Sequence, residues 1–169
     1  MGLFSSFLSN DVDVITDPEF TSLFAKARLL KGQRSYYLEP CDAGTFTVAP
    51  DWTGRAYTHQ ESNVTVLFPH PIDILTSKIK RMEEKDFRAF ELVQQTTGHP
   101  TAIEMIEALQ RIVDVYRPSF DKEQSCDPFY NTKALWSRFF KSVIDVHAEI
   151  IIPALARRSA QFGHTELNL

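Results

Sequence analysis

Asp11 and Asp13 are the residues whose type and spacing could do chemistry. Asp11-Val12-Asp13-Val14-Ile15 alternates polar and apolar side chains. On a period of two, this puts Val12 and Val14 on one face of a strand and both carboxylates on the other. Two like charges so close repel unless a cation neutralises them, and two carboxylates aimed the same way can share one hard cation such as Mg²⁺. In phosphoryl transfer, metals held in this way clamp the phosphate oxygens and stabilise the attacking and leaving groups. Asp-x-Asp alone is also what a solvated surface strand carries, and that plainer alternative stands beside the metal site.

The elements that must position these groups follow from the hydrophobic pattern. Asp11–Ile15 is the first strand. Asp17-Pro18 offers an N-cap and a first-turn proline to a helix through Phe20, Leu23, Phe24, Ala27 and Leu30, which Gly32 would end. Strands are expected over Arg34–Leu38, Thr45–Val48 and Asn63–Phe68, with the whole stretch between the last two, Pro50–Arg55 included, as loop. After Pro69 and Pro71 the spacing turns helical, with a stripe of Ile72, Leu75, Ile79 and Met82 that Phe90 and Val93 continue. Thr101-Ala102-Ile103-Glu104 is a capping box ahead of a helix that Pro118 ends. A long aromatic helix is expected from Thr132 through Trp136, Phe139, Phe140, Val143, Ile144, His147 and Ile150, bending at Pro153. From Gln161 onward the periodicity fades.

Strands in the first 70 residues and helices in the rest point to an α+β fold, a small mixed β-sheet covered by helices and followed by a C-terminal helical bundle. Within one domain overall, residues 1–95 form the α+β core and 96–169 pack on it. A chain of 169 residues with 43% hydrophobic content buries one sizeable core. A net charge of −4 argues against a strongly basic nucleic-acid surface. Cys41 and Cys126 stand far apart, without metal or disulfide spacing, which fits a cytoplasmic setting. No apolar run is long enough to span a bilayer, so no membrane partner is expected.

Asn10-Asp11-Val12-Asp13-Val14-Ile15-Thr16 followed by a helix is similar to the metal-binding strand of nucleotidyltransferases. Pro71-Ile72-Asp73-Ile74-Leu75-Thr76-Ser77-Lys78-Ile79-Lys80-Arg81, followed by Glu84-Lys85-Asp86-Phe87-Arg88-Ala89-Phe90, resembles a segment of an uncharacterised prokaryotic branch. That branch is related to AbiEii-type toxins and to other minimal nucleotidyltransferases. Asp51-Trp52-Thr53-Gly54-Arg55-Ala56 resembles a Trp-x-x-Arg stretch of the same branch, so the resemblance runs from Asn10 to Phe90.

The resemblance implies an N-terminally abbreviated nucleotidyltransferase-like core, with Asp11 and Asp13 as ligands of Mg²⁺. Glu39 is implied as the third catalytic carboxylate, with Asp51 in reserve, and Lys78, Arg81 and Asp86 as the nucleotide-binding group. The implied activity is transfer of a nucleoside monophosphate from a nucleoside triphosphate to a hydroxyl of RNA, a protein or a small molecule. One departure favours an alternative. Only ten residues precede Asp11, and Gly2-Leu3 does not stand where the family's phosphate-cradling Gly-Ser turn would. The alternative is a catalytically silent binding or regulatory module in a toxin–antitoxin or phage-defence setting.

Each of these residues also has a plainer explanation. Lys78 lies about 80° from the centre of its apolar stripe, where a solvated boundary lysine is ordinary. Continuing the helical count puts Asp86 in mid-stripe, where a buried carboxylate must pair with Lys78 or Arg81, unless the helix breaks near Glu83-Glu84 and Asp86 caps the next one. His147 is expected on an apolar face. The aromatic cluster is expected in the core, and if exposed it would mark a homo-oligomer interface.

Overall fold

The computed structural model describes residues 11–15, 28–31, 34–41, 46–116 and 127–163, and for 11–13, 28–31, 34–40, 64 and 162–163 the backbone alone. The chain divides into two compact units, Met1–Phe46 and Thr47–Leu169. Residues 47–95 and the helices beyond 96 therefore belong to one unit. With β-structure early and helices later, the fold class is α+β.

In the first unit, β1 (Asp11–Ile15), β2 (Arg28–Lys31) and β3 (Arg34–Cys41) form a mixed sheet in the order β1-β3-β2. β3 is the central strand, parallel to β1 and antiparallel to β2, with Lys31 opposite Arg34. The helical count that takes in Leu30 fails here, because Arg28-Leu29-Leu30-Lys31 pairs as a strand edge. Cross-strand hydrogen bonding overrides a short apolar spacing that fits either period. The helix expected from Asp17-Pro18 lies outside the described residues. Phe46–Val48 is not strand, contrary to the strand expected there.

The second unit opens with a short 3₁₀ turn, Trp52–Arg55, and a two-stranded antiparallel ribbon of β4 (Tyr57–Glu61) and β5 (Val64–Phe68). Every β4 residue is exposed, which is why Tyr-Thr-His-Gln-Glu carries no apolar alternation to betray a strand. The helices follow: α1 (Pro71–Ser77), α2 (Glu84–Thr97), α3 (Ala102–Arg111), α4 (Pro128–Leu135) and α5 (Ile152–Gly163). Leu75, Ile79, Phe90, Met105, Leu109, Leu135, Ile144 and Ile150 form the centre of the core, all at most 2% exposed.

α3 starts as its capping box predicts: the Glu104 N–H donates to Thr101 Oγ1, and the Thr101 N–H donates to Glu104 Oε2 at 2.7 Å. The long aromatic helix is interrupted. α4 begins at Pro128 under an Asp127 N-cap and widens into a π turn, Trp136–Phe140. It stops at Lys141 in the left-handed region, φ 53°. A second π turn, His147–Ile151, leads into α5. The break resets the helical phase, so Val143 is 93% exposed and His147 is exposed rather than on the core face. The bend thus falls at Lys141, not Pro153, which lies inside the first turn of α5. Trp136 is buried and Phe139 and Phe140 pack against the core, their rings 5.0 Å apart and edge-on.

Candidate functional site

In the first unit, the parallel register sets Asp11 opposite Tyr37 and Asp13 opposite Glu39. Asp11 and Asp13 hold alternate positions of β1, and Glu39 is the neighbour of Asp13 across the sheet. The three carboxylate positions expected to act together are thus brought together by backbone pairing, although 26 residues separate Asp13 from Glu39 in sequence.

In the second unit, Lys78 and Arg81 converge on one buried carboxylate, Asp86. Lys78 is the C-cap of α1, and the turn from Ile79 to Arg81 ends at Met82 in the left-handed region, φ 43°. A non-glycine residue is uncommon there; Met82 is held by its buried side chain, and Asn131 of α4 donates to the carbonyls of Ile79 (2.9 Å) and Lys80 (3.2 Å). This reversal turns α2 back so that Asp86, at its third position, faces the end of α1.

Asp86 Oδ1 accepts from Lys78 Nζ at 3.1 Å and Arg81 Nη2 at 3.0 Å. Its Oδ2 accepts from Arg81 Nε at 3.1 Å and from the backbone N–H of Glu83, the N-cap residue, at 3.0 Å. The helix therefore breaks where expected, but Asp86 secures the new N-terminus from the third position rather than as the N-cap itself. Pairing and capping, set up as alternatives, are both performed by one side chain. Burial pushes the Asp86 carboxyl up, and is outweighed by the Arg81 hydrogen bonds, the Lys78 charge and the Glu83 N–H, which hold it below the usual carboxylate range.

A second buried acid was not legible. Asp73 of α1 accepts from Arg55 in a two-point fork, Nε to Oδ2 at 3.1 Å and Nη2 to Oδ1 at 2.7 Å. The Asp73 side chain is 4% exposed. Arg55 also donates to Asp51 at 2.8 Å, and that hydrogen bond is the main reason the Asp51 carboxyl lies below its ordinary range. The Trp-x-x-Arg turn is therefore tied to α1 by its arginine. Asp51, the reserve carboxylate, is one of that arginine's two partners. The only available signal was an acidic residue in a first helical turn, which the helix dipole already explains.

Asp11, Asp13 and Glu39 belong to the first unit; Asp51, Lys78, Arg81 and Asp86 belong to the second. Chemically, three carboxylates suit a hard cation, whereas Lys78, Arg81 and Asp86 together carry one net positive charge that serves first to close the α1–α2 turn. Compared with protein-family models, with curated proteins and with solved structures, the chain gives no match in any of the three.

Proposed function

We propose that the chain is a nucleotidyltransferase-like protein that transfers a nucleoside monophosphate from a nucleoside triphosphate to an acceptor hydroxyl. The observation that carries this is the parallel β1–β3 register, which sets Glu39 beside Asp13. Sequence spacing does not dictate that pairing. The donor set fits Mg²⁺, a hard cation bound through carboxylate oxygens, and Asp11 and Asp13 would hold it. Mg²⁺ so held supplies neutralisation of the charge that develops on the phosphate oxygens. Glu39 would accept the proton of the acceptor hydroxyl as its oxygen bonds to the α-phosphorus and the bond to the β-phosphate breaks, releasing pyrophosphate.

A second reading, a catalytically silent binding module, draws support from the buried ion cluster. Lys78 and Arg81, implied as nucleotide contacts, both donate to Asp86. Calorimetry of each nucleoside triphosphate with Mg²⁺, on the wild type and on Asp11→Asn/Asp13→Asn, tests the first reading. Mg²⁺-dependent binding is expected in the wild type and lost in the double variant, whose melting is unchanged or raised because two repelling carboxylates are gone. Equal binding by both proteins would remove the two aspartates from the site. Absence of binding in both favours the silent module.

A further inference from the structure

Every β4 and β5 residue whose side chain is described is exposed, Tyr57 at 70% and Phe68 at 51% among them. The two strands pair only with each other, and no hydrogen bond joins the ribbon to another described residue. A two-stranded ribbon on its own is marginally stable in water, and an uncovered edge is a template for a further strand. The sequence guards one edge and not the other. β4, Tyr57-Thr58-His59-Gln60-Glu61, is polar apart from its tyrosine and ends in an exposed carboxylate. β5, Val64-Thr65-Val66-Leu67-Phe68, consists of β-branched, aliphatic and aromatic residues, with no charge, glycine or proline until Pro69 follows it.

The register decides which backbone groups the β5 edge offers. Ser62, with φ 52°, and Asn63 make a two-residue turn, so Glu61 and Val64 close the hairpin as a hydrogen-bonded pair. The alternation of an antiparallel ladder makes His59–Val66 and Tyr57–Phe68 the next such pairs, and it turns the N–H and C=O of Thr65 and Leu67 outward. Two β5 edges laid antiparallel about Val66 set Thr65 of each copy opposite Leu67 of the other, so every outward group finds a partner. Val66 then faces Val66 across the two-fold axis, and Val64 faces Phe68 at either end. These positions share the face on which the Tyr57 and Phe68 rings lie 6.2 Å apart. No like charges meet along the seam, because β5 carries none; the same pairing through β4 would set His59 against His59.

We propose that the chain self-associates through β5, edge to edge with a second copy, into one antiparallel sheet in the order β4-β5-β5′-β4′. The contact covers on the order of 400 Å² per copy, about half of the roughly 800 Å² per partner in a standard interface, so the dimer is weak and reversible. The guarded β4 edges lie outermost and stop growth at two copies. The association uses no residue of the β1 and β3 carboxylate site.

Sedimentation equilibrium of the full chain over about 10 µM to about 1 mM, the range of weak interfaces, should show the mean mass rising from one chain towards two and no further. The decisive variants are Val66→Lys and Val66→Glu, at an exposed position, with circular dichroism confirming the fold of each. Each alone brings like charges together on the two-fold axis and should weaken association about tenfold or more. An equimolar mixture of the two should restore a dimer at least as tight as the wild type, because ammonium then faces carboxylate. Thr65→Pro removes an outward N–H, keeps the apolar face and should give the mass of a single chain, whereas Thr58→Lys on β4 should leave association unchanged. A single-chain mass at every concentration overturns the proposal and leaves the edge to a strand of another protein. Dimers that persist in both Val66 variants place the interface elsewhere, and variants that stay apart when mixed refute the two-fold register; either result overturns it. A mass climbing past two chains overturns the closed pairing in favour of open stacking of ribbons.

Discussion

Asp86→Asn separates the two roles of this carboxylate, because a cap needs only an acceptor oxygen and an ion pair needs charge. Asparagine keeps one oxygen, which can still accept from the Glu83 N–H 3.0 Å away. Its amide then presents donors where Lys78 Nζ and Arg81 Nη2 already donate. Removing one partner of a buried ion pair costs about 3–5 kcal/mol. Lys78 and Arg81 are 28% and 45% exposed and can turn partly to water, which lowers the expected loss to about 2–3 kcal/mol. A cap alone predicts a loss of only a few tenths of a kcal/mol. Asp86→Ala adds the lost cap, about 1 kcal/mol more. Urea unfolding reads the difference directly, since a slope of about 1–3 kcal/mol/M converts the loss in Asn into a midpoint shift of about 0.7–3 M.

In a Lys78→Met/Arg81→Met background the same Asp86→Asn change should become neutral or stabilising, because the wild-type carboxylate is then buried without a cation. The pH dependence has a definite sign. The carboxyl is depressed in the folded protein, so the stability it contributes is present above its unfolded value near 3.9 and is lost as pH falls through the folded value. The gap between wild type and Asp86→Asn should therefore close as the pH is lowered below about 4. Near-neutrality of Asp86→Asn at pH 7, or a gap that stays constant down to acid pH, refutes the ion-pair account.

Two further predictions concern other ionic ties. Arg55→Met leaves Asp73 buried without its fork and should cost about 2–3 kcal/mol, measured by denaturant melts, whereas Asp51→Asn should be close to neutral because Asp51 is exposed. Hydrogen bonds from His99 first, then from the Thr101 N–H and hydroxyl, hold the Glu104 carboxyl at about 2. A carbon-detected NMR titration should find that midpoint and see it rise in His99→Gln; its contribution to stability is present above the ordinary glutamate range and is lost as pH falls towards about 2.

The capping box at Thr101, the strands at Asp11 and Val64 and the break ahead of Glu84 were legible because each rests on local chemistry: side chains that satisfy neighbouring N–H groups, a period of two at Asp11, and a run of strand-favouring residues bounded by turn residues at Val64. β2 and β4 were hidden for opposite reasons. Arg28–Lys31 carries apolar residues that fit a helical count, and Tyr57–Glu61 is exposed throughout, so neither shows the alternation of a half-buried strand. The phase error at Val143 and His147 has a single source. Nothing in Phe140-Lys141-Ser142 announces a left-handed lysine, since neither glycine nor proline marks the stop. Asp86 was recognisable as anomalous because it falls in an apolar stripe. Asp73 was not, because a first-turn aspartate is ordinary.

The ion cluster also bears on which function the chain performs. Lys78 donates one of its three N–H bonds to Asp86, and Arg81 also pairs with Glu83 Oε1 at 3.7 Å, so two cations meet two carboxylates and Lys78 keeps further N–H groups at a half-exposed edge. A structural tie and a phosphate contact therefore do not compete for the whole of Lys78; they compete for its geometry. Lys78→Arg keeps the charge but replaces a compact ammonium with a planar fork beside an arginine that already binds both Asp86 oxygens. If Lys78 serves only the turn, Arg is accommodated at a small cost and nucleotide binding, where present, is unaffected. If its remaining N–H groups meet phosphate, the substitution spares folding and weakens nucleotide binding. Stability and binding measured together on this one variant separate a lysine that holds the fold from one that also holds a ligand.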